Sequence, residues 1–367
     1  MDNDTPPRMI DWDLAVRIGS RLAGDGPEVD AQEAADCVAE LRAGAVQSTP
    51  LVREFTGLVA EEVTAPVLVV DRPGWIQANA DAFETVIGPL LGKLTERKGA
   101  PSALATAIGS RVTGVELGAM FGFLAGKVLG QFDPFYSAGG AGGRLLLVAP
   151  NVVHVERELR VDPHDFRLWV CLHEETHRVQ FTAVPWMRDH LQAEMGNIVG
   201  SIRTDPTEFL GELVKRVGDL VSGQRPSTGS GQAPSTGSGQ GGSLIDLFAS
   251  PEQKQVIERV TGVMSLLEGH ADVVMDGVGP EVIPSVADIR RKFTQRRKGV
   301  GVLDRLLRRL LGLDQKMAQY RDGAVFVRAA IDKVGMDGFN AVWAGPENLP
   351  SKAEILDPDS WLRRVHG

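Results

Sequence analysis

The 367-residue chain has two cysteines, two tyrosines and seven histidines. Cys37 and Cys171 lie outside any CxxC pair. They cannot build a disulfide framework, and they fit a reducing, cytoplasmic setting. Basic charge is short as well: 39 Lys and Arg stand against 48 Asp and Glu, a net charge of −9. A phosphate backbone is bound through a basic surface, so no nucleic-acid partner is expected. The opening residues, MDNDTPPRMIDWD, are acidic and interrupted by proline, and do not read as a secretory signal. Long apolar runs are missing too. The most membrane-like stretch is GVELGAMFGFLAGKVLGQF at 114–132, where Glu116 and Lys127 leave only ten uncharged residues between them. A membrane span needs about twice that. Gly118, Gly122, Ala125 and Gly126 instead predict a core helix packed closely on a neighbour.

What is present is helical. DWDLAVRIGSRLAG and DAQEAADCVAELRAGAVQ repeat their apolar residues at the helical period. APVLVVDRPGWIQANADAFETVIGPLLGKL predicts a short extended piece, a turn at Arg72-Pro73-Gly74, and another amphipathic helix. GGAGGR at 139–144 lacks the spacing and trailing Lys of a phosphate loop and reads as a connection. In LLLVAPNVVHV, two apolar runs split by Pro150 and Asn151 are the best strand candidates, with His154 in the second run as a structural residue. Helix starts then become plain. Asp162 caps, Pro163 takes the first position and Asp165 the third, and this helix should end before Pro185. The device recurs at Asp205-Pro206 and at Ser250-Pro251.

Between these last two lies SGQRPSTGSGQAPSTGSGQGGS, residues 222–243, a tandem repeat with a single charge. Such a composition cannot bury a core and reads as a flexible tether, spanning roughly 25 Å as a random coil. The chain therefore divides into a helical region at 1–143, a core at 144–221, the tether at 222–243 and a helical part at 244–367. The expected fold is mainly α (α+β), with a small sheet. The basic stretch at 290–314, RRKFTQRRKGVGVLDRLLRRLLGLD, reads as a solvated face on a packed helix.

The chemistry sits in VCLHEETHRVQF, residues 170–181. Four residues turn a helix by about 400°, so His173 and His177 lie one turn apart on one face. Their imidazoles can meet one Zn2+ ion at about 2.0–2.1 Å. Glu174 is rotated about 100° to the flank, where it can reach a water on the metal without binding the metal itself. Zinc lowers the pKa of that water to about 7, so a neighbouring carboxylate can take its proton. Glu175, a further step round, is expected to be solvated. Phe166 and Val170 continue the histidine stripe and turn it inward. A third ligand is expected from VMSLLEGHADVVM at 263–275, whose only acids are Glu268 and Asp272, one turn apart. Glu268 is the candidate ligand. Asp272 is the candidate acceptor for the other ring N–H of a ligating histidine. Gly269 is expected to let this helix approach the histidine helix, and His270 points away from Glu268. For the oxyanion of a hydrolysis reaction the candidate donor is Tyr320, in DQKMAQYRDGAVF.

HEETH followed by a helical Glu and, four residues on, an Asp in EGHAD resembles the gluzincin pattern of zinc metallopeptidases. VVDRPGWIQAN, LLLVAPNVVHVEREL, VDPHDFRLWVCLHEETHRVQF, LLEGHADVVMD and LLGLDQKMAQYRDGAVFV are similar to an actinobacterial family of zincin-like zinc-dependent metalloproteases. The resemblance covers most of the chain outside the tether and the ends. It implies a zincin-like domain wrapped by additional helices and a peptide or protein substrate. It also implies a catalytic set of His173, His177 and Glu268 on zinc, with Glu174 as base. The interval from His177 to Glu268 is longer than in many gluzincins, and the tether accounts for part of it. The competing reading is a non-catalytic zincin-like scaffold that binds metal or partners. Glu174 separates the two, since a structural site has no use for a base.

Overall fold

The computed structural model describes residues 9–60, 65–98, 103–138, 142–200, 251–298 and 313–367. The tether, the helix expected after Asp205, the Ser250 cap and residues 299–312 of the basic stretch lie outside them. The elements run α1 (Trp12–Leu22), α2 (Ala31–Thr56), β1 (Val67–Val70), α3 (Arg72–Lys98), α4 (Ala103–Ala125), β2 (Gly130–Asp133) and β3 (Arg144–Val148). There follow α5 (Ala149–Leu159), α6 (Pro163–Ala183), α7 (Trp186–Gly200), α8 (Pro251–Val278), α9 (Val286–Lys298), α10 (Leu313–Phe339), α11 (Lys352–Leu356) and α12 (Pro358–His366). The fold is mainly α with a small sheet, as the composition of the segments predicts. Among the described residues no helix is long and apolar enough to cross a membrane.

The sheet has the order β1-β3-β2, with β3 parallel to β1 and antiparallel to β2. Successive side chains of a strand point to opposite faces. Leu145 and Leu147 of β3 accordingly enter one apolar core, and Leu146 and Val148 another. The first core packs α2, α6, α8 and α10 with the C-terminal helices. The second packs α1, α3 and α4. A sheet covered by helices on both faces buries all five residues of its central strand.

Two sequence expectations change here. The second apolar run, VVHV, is not a strand but part of α5. Pro150 sits in the first turn, where its fixed φ suits a helix and its missing N–H costs nothing. Val152, Val155 and Leu159 are then buried at helical spacing, and His154 is half-exposed, 3.8 Å from Glu158. The core helix expected over 114–132 ends at Ala125, and residues 130–132 belong to β2. The Arg72-Pro73-Gly74 turn forms the first turn of α3, with Asp71 accepting from the Gly74 N–H at 2.7 Å.

Small residues set the helix spacings. A Cβ built on Gly118 or Gly122 of α4 would stand 2.6 or 2.8 Å from the carbonyl oxygen of Ala15 or Gly19 on α1. The close packing expected of this stretch is therefore made against α1. Gly269, expected to face the histidine helix, faces α10 instead: a Cβ there would meet the Gly323 carbonyl carbon at 2.2 Å, and one on Gly323 the Ser265 carbonyl oxygen at 2.0 Å. Since α8 and α10 touch backbone to backbone, Gly323→Ala should destabilise by about 1–3 kcal/mol or more through overpacking. Urea unfolding measures this, and an unchanged midpoint would contradict the close contact.

Candidate metal centre

Helix α6 starts as its sequence dictates. The Asp162 side chain accepts from the Asp165 N–H at 3.0 Å, and Pro163 occupies the first turn. The helix stops at Ala183, two residues before Pro185. This register puts His173 and His177 one turn apart, with their Nε2 atoms 3.3 Å from each other. Helix α8 brings Glu268 to the same point. Its Oε2 lies 3.6 Å from His173 Nε2, and its Oε1 lies 3.6 Å from His177 Nε2.

These distances test whether zinc fits. Tetrahedral bonds of about 2.0–2.1 Å place ligand atoms roughly 3.3–3.4 Å apart. The two imidazole nitrogens stand 3.3 Å apart, and each is 3.6 Å from one of the two Glu268 oxygens, close to that value. The donor set, two imidazoles and a carboxylate, is a usual one for zinc. Among the described residues these three form the group that could hold a metal, and no fourth His, Cys, Asp or Glu joins it. The ligand side chains are 25%, 12% and 24% exposed, so the group opens to solvent on one side.

The profile of the zincin-like metallopeptidase family matches residues 10–362. The chain belongs to that family. A solved structure from Chloroflexus aurantiacus, described as "a putative hydrolase with a novel fold", is 30% identical with a TM-score of 0.65. The match covers 97% of this chain and 99% of that one. No curated protein matches.

In this zincin-like chain the two adjacent glutamates after His173 have different surroundings. Glu174 is buried, and its side chain lies against Gly130 of β2, where a Cβ would come within 2.5 Å of Glu174 Cγ and 2.7 Å of Cδ. Burial, and then the neighbouring Glu268 carboxylate, push Glu174 well above the ordinary carboxylate range. Glu175 was expected in solvent, yet it is wholly buried. Its carboxylate pairs with the Arg178 guanidinium at 2.7 and 2.8 Å and accepts from the Thr49 hydroxyl at 2.8 Å. The reason is that α2 packs on the side of α6 that carries Glu175, so this charge meets Thr49 and Arg178 rather than solvent.

Asp272 does not sit where the sequence placed it. Its Oδ1 is 3.8 Å from the Arg290 guanidinium, and its carbonyl accepts from the same group at 2.8 Å. At the far ring nitrogens stand other residues. His177 Nδ1 is 2.9 Å from Gln180 Oε1, and His173 Nδ1 is 3.3 Å from Met275 Sδ. Gln180 could have been noticed as a polar residue on the inward stripe, three positions beyond His177. Met275 carries no signal separable from core packing. Tyr320 falls within α10, and its side chain is outside the described residues.

His270 is fully buried between the rings of Phe339 and Trp343, with centroids at 5.5 and 5.3 Å. Burial first, and His177 second, push its pKa down to about 3. In the unfolded chain this histidine takes up a proton near pH 6.5, whereas the folded chain resists until about pH 3. Its contribution to stability is therefore complete above about pH 6.5 and is lost progressively as pH falls toward 3. The melting temperature of the metal-free protein should fall more steeply between pH 7 and 4 in wild type than in His270→Gln. Parallel curves would count against the neutral buried histidine.

Proposed function

We propose that this zincin-like protein is a zinc-dependent hydrolase, most specifically a metallopeptidase, with His173, His177 and Glu268 as ligands and Glu174 as general base. The observation that carries the proposal is the convergence of two imidazoles and a carboxylate, 3.3 to 3.6 Å apart, beside a buried glutamate. The family match and the hydrolase description of the Chloroflexus protein support the same reaction class. Zinc, when bound, polarises the scissile carbonyl and makes the attacking water more acidic.

The residues of the chain do the rest. Glu174, in a setting that raises its proton affinity, accepts the proton of the attacking water and can deliver it to the leaving amine. Gly130 keeps that carboxylate against the end of β2, the edge strand of the sheet. An extended peptide pairing with this edge would bring its backbone to the base. Tyr320, on the helix packed against the Glu268 helix, is the proposed donor to the oxyanion. Asp272, joined to Arg290, is proposed to act on the turn that carries Glu268 rather than on a histidine. A non-catalytic scaffold would account for the metal group but not for a buried glutamate held beside an open ligand set.

Purified protein should carry about one zinc per chain, because two rigid helices present one ligand set. His177→Ala and Glu268→Ala should each lose it. Glu174→Gln should keep zinc and fold while losing about 10²–10⁴-fold in hydrolysis of a peptide library, the usual share of a general base. Wild type and Glu174→Gln equally inert toward the library would favour the scaffold.

Gly130→Ala offers a subtler probe, since its added methyl would press on Glu174 Cγ and Cδ without touching a ligand. Zinc content should hold while turnover drops. Unchanged turnover would mean that Glu174 does not need its seat against β2.

A further inference from the structure

Gln180 is fully buried on α6, one turn beyond His177, and its amide meets three partners. Its Oε1 lies 2.9 Å from His177 Nδ1. Its Nε2 lies 3.0 Å from the carbonyl oxygen of Leu267 and 2.9 Å from His270 Nδ1. A backbone carbonyl can only accept, so the NH2 end of the amide must face Leu267. The opposite orientation would set two oxygens against each other. With the NH2 end placed there, the oxygen faces His177, and an amide oxygen can only accept. His177 therefore carries a proton on Nδ1, and the neutral ring presents its lone pair at Nε2, the atom 3.6 Å from Glu268 Oε1. The second NH of the amide points at His270 Nδ1, which must accept, so His270 carries its proton on Nε2. Among the described residues that Nε2 finds no hydrogen-bonding atom, and the ring lies against Phe339 and Trp343.

We infer that Gln180 is a positioning residue for the metal site, an inference that rests on the ligand set proposed above. It fixes the tautomer of one ligand on α6 and, through Leu267, holds the turn of α8 that presents the next residue, Glu268. One side chain thus ties both ligand helices together at the ligands themselves. Only an amide long enough to reach both helices supplies an acceptor for His177 and two donors for α8. A glutamate would keep the acceptor and lose both donors. A methionine of similar length would lose all three bonds.

The test has two parts, both on the full chain. Two-bond 1H–15N spectra of the metal-free wild type should show His177 as the Nδ1–H tautomer and His270 as the Nε2–H tautomer. An Nε2–H tautomer at His177 overturns the inference, and this measurement needs no variant to fold. Gln180→Met should weaken cobalt(II) binding about 10–100-fold in competition with a chelator, and should shift the visible absorption of the bound cobalt. A merely structural role would lower the melting temperature of the metal-free variant and leave both metal readouts unchanged. Wild-type affinity and spectrum in a folded Gln180→Met protein would overturn it. If wild type binds no cobalt, the ligand set itself is wrong, and the tautomers still decide the role of Gln180.

Discussion

Helix α6 is buried along almost its whole length while carrying seven polar or charged side chains inside: Asp165, Arg167, Glu174, Glu175, Thr176, Arg178 and Gln180. Buried polar groups are costly unless they are paired, so the surrounding elements have to meet each of them. Much of the architecture follows from that demand. Asp165 accepts from the Ser285 N–H, at the start of α9, at 2.8 Å. Arg167 is gripped by Glu156 of α5 at 2.7 and 3.0 Å and by Glu40 of α2 at 2.9 Å. Arg178 closes on Glu175 and donates to the Ala65 carbonyl ahead of β1 at 3.0 Å. These ties fix the rotation of α6, and the rotation decides which way the two histidines point.

The two adjacent glutamates then become informative together. Glu175 has a guanidinium and a hydroxyl on its carboxylate, the arrangement of a structural ion pair in a core. Glu174 sits one residue earlier, also buried, and its charged neighbour is another carboxylate. Burial and the Glu268 carboxylate both disfavour the charged form of Glu174. The contrast supports the role proposed for Glu174, since raised proton affinities concentrate where protons are moved.

How much of this was legible beforehand depends on the range of the interaction. Capping signals act within one turn, so Asp162-Pro163 gave the start of α6 directly, and with it the facing of His173 and His177. The candidate third ligand was also readable, because the carboxylates of an apolar helix need partners wherever the helix goes, and Glu268 does come to the two histidines. What failed were inferences about which neighbour a face would meet. Glu175 looked solvent-facing because its contact with Thr49, and that of its partner Arg178 with Ala65, come from more than a hundred residues earlier in the chain. Asp272 looked like a histidine partner until Arg290 was found beside it. VVHV alternated too little to tell strand from helix, and Pro150 fits the first turn of one as well as the break between two strands. Strand β2, four residues opening on a glycine, carried no pattern at all. It is nevertheless the strand that seats Glu174, the proposed base.

Glycine at that seat and glutamine behind His177 belong to one line of reasoning. Metal ligands can be recognised by their chemistry, whereas the residues that hold them are ordinary side chains in unusual places. Gly130 matters because of the methyl group it lacks, and Gln180 because its two ends differ. Neither property is rare in a sequence of this length. Each gains meaning only when β2 and α8 are brought against α6, since only then does the empty side of Gly130 face Glu174 and the amide of Gln180 span two helices. The ligand triad states which ion could be held. On the proposed reading, the arrangement behind it determines whether the imidazole offers a lone pair to that ion and whether Glu174 is free to work as the base.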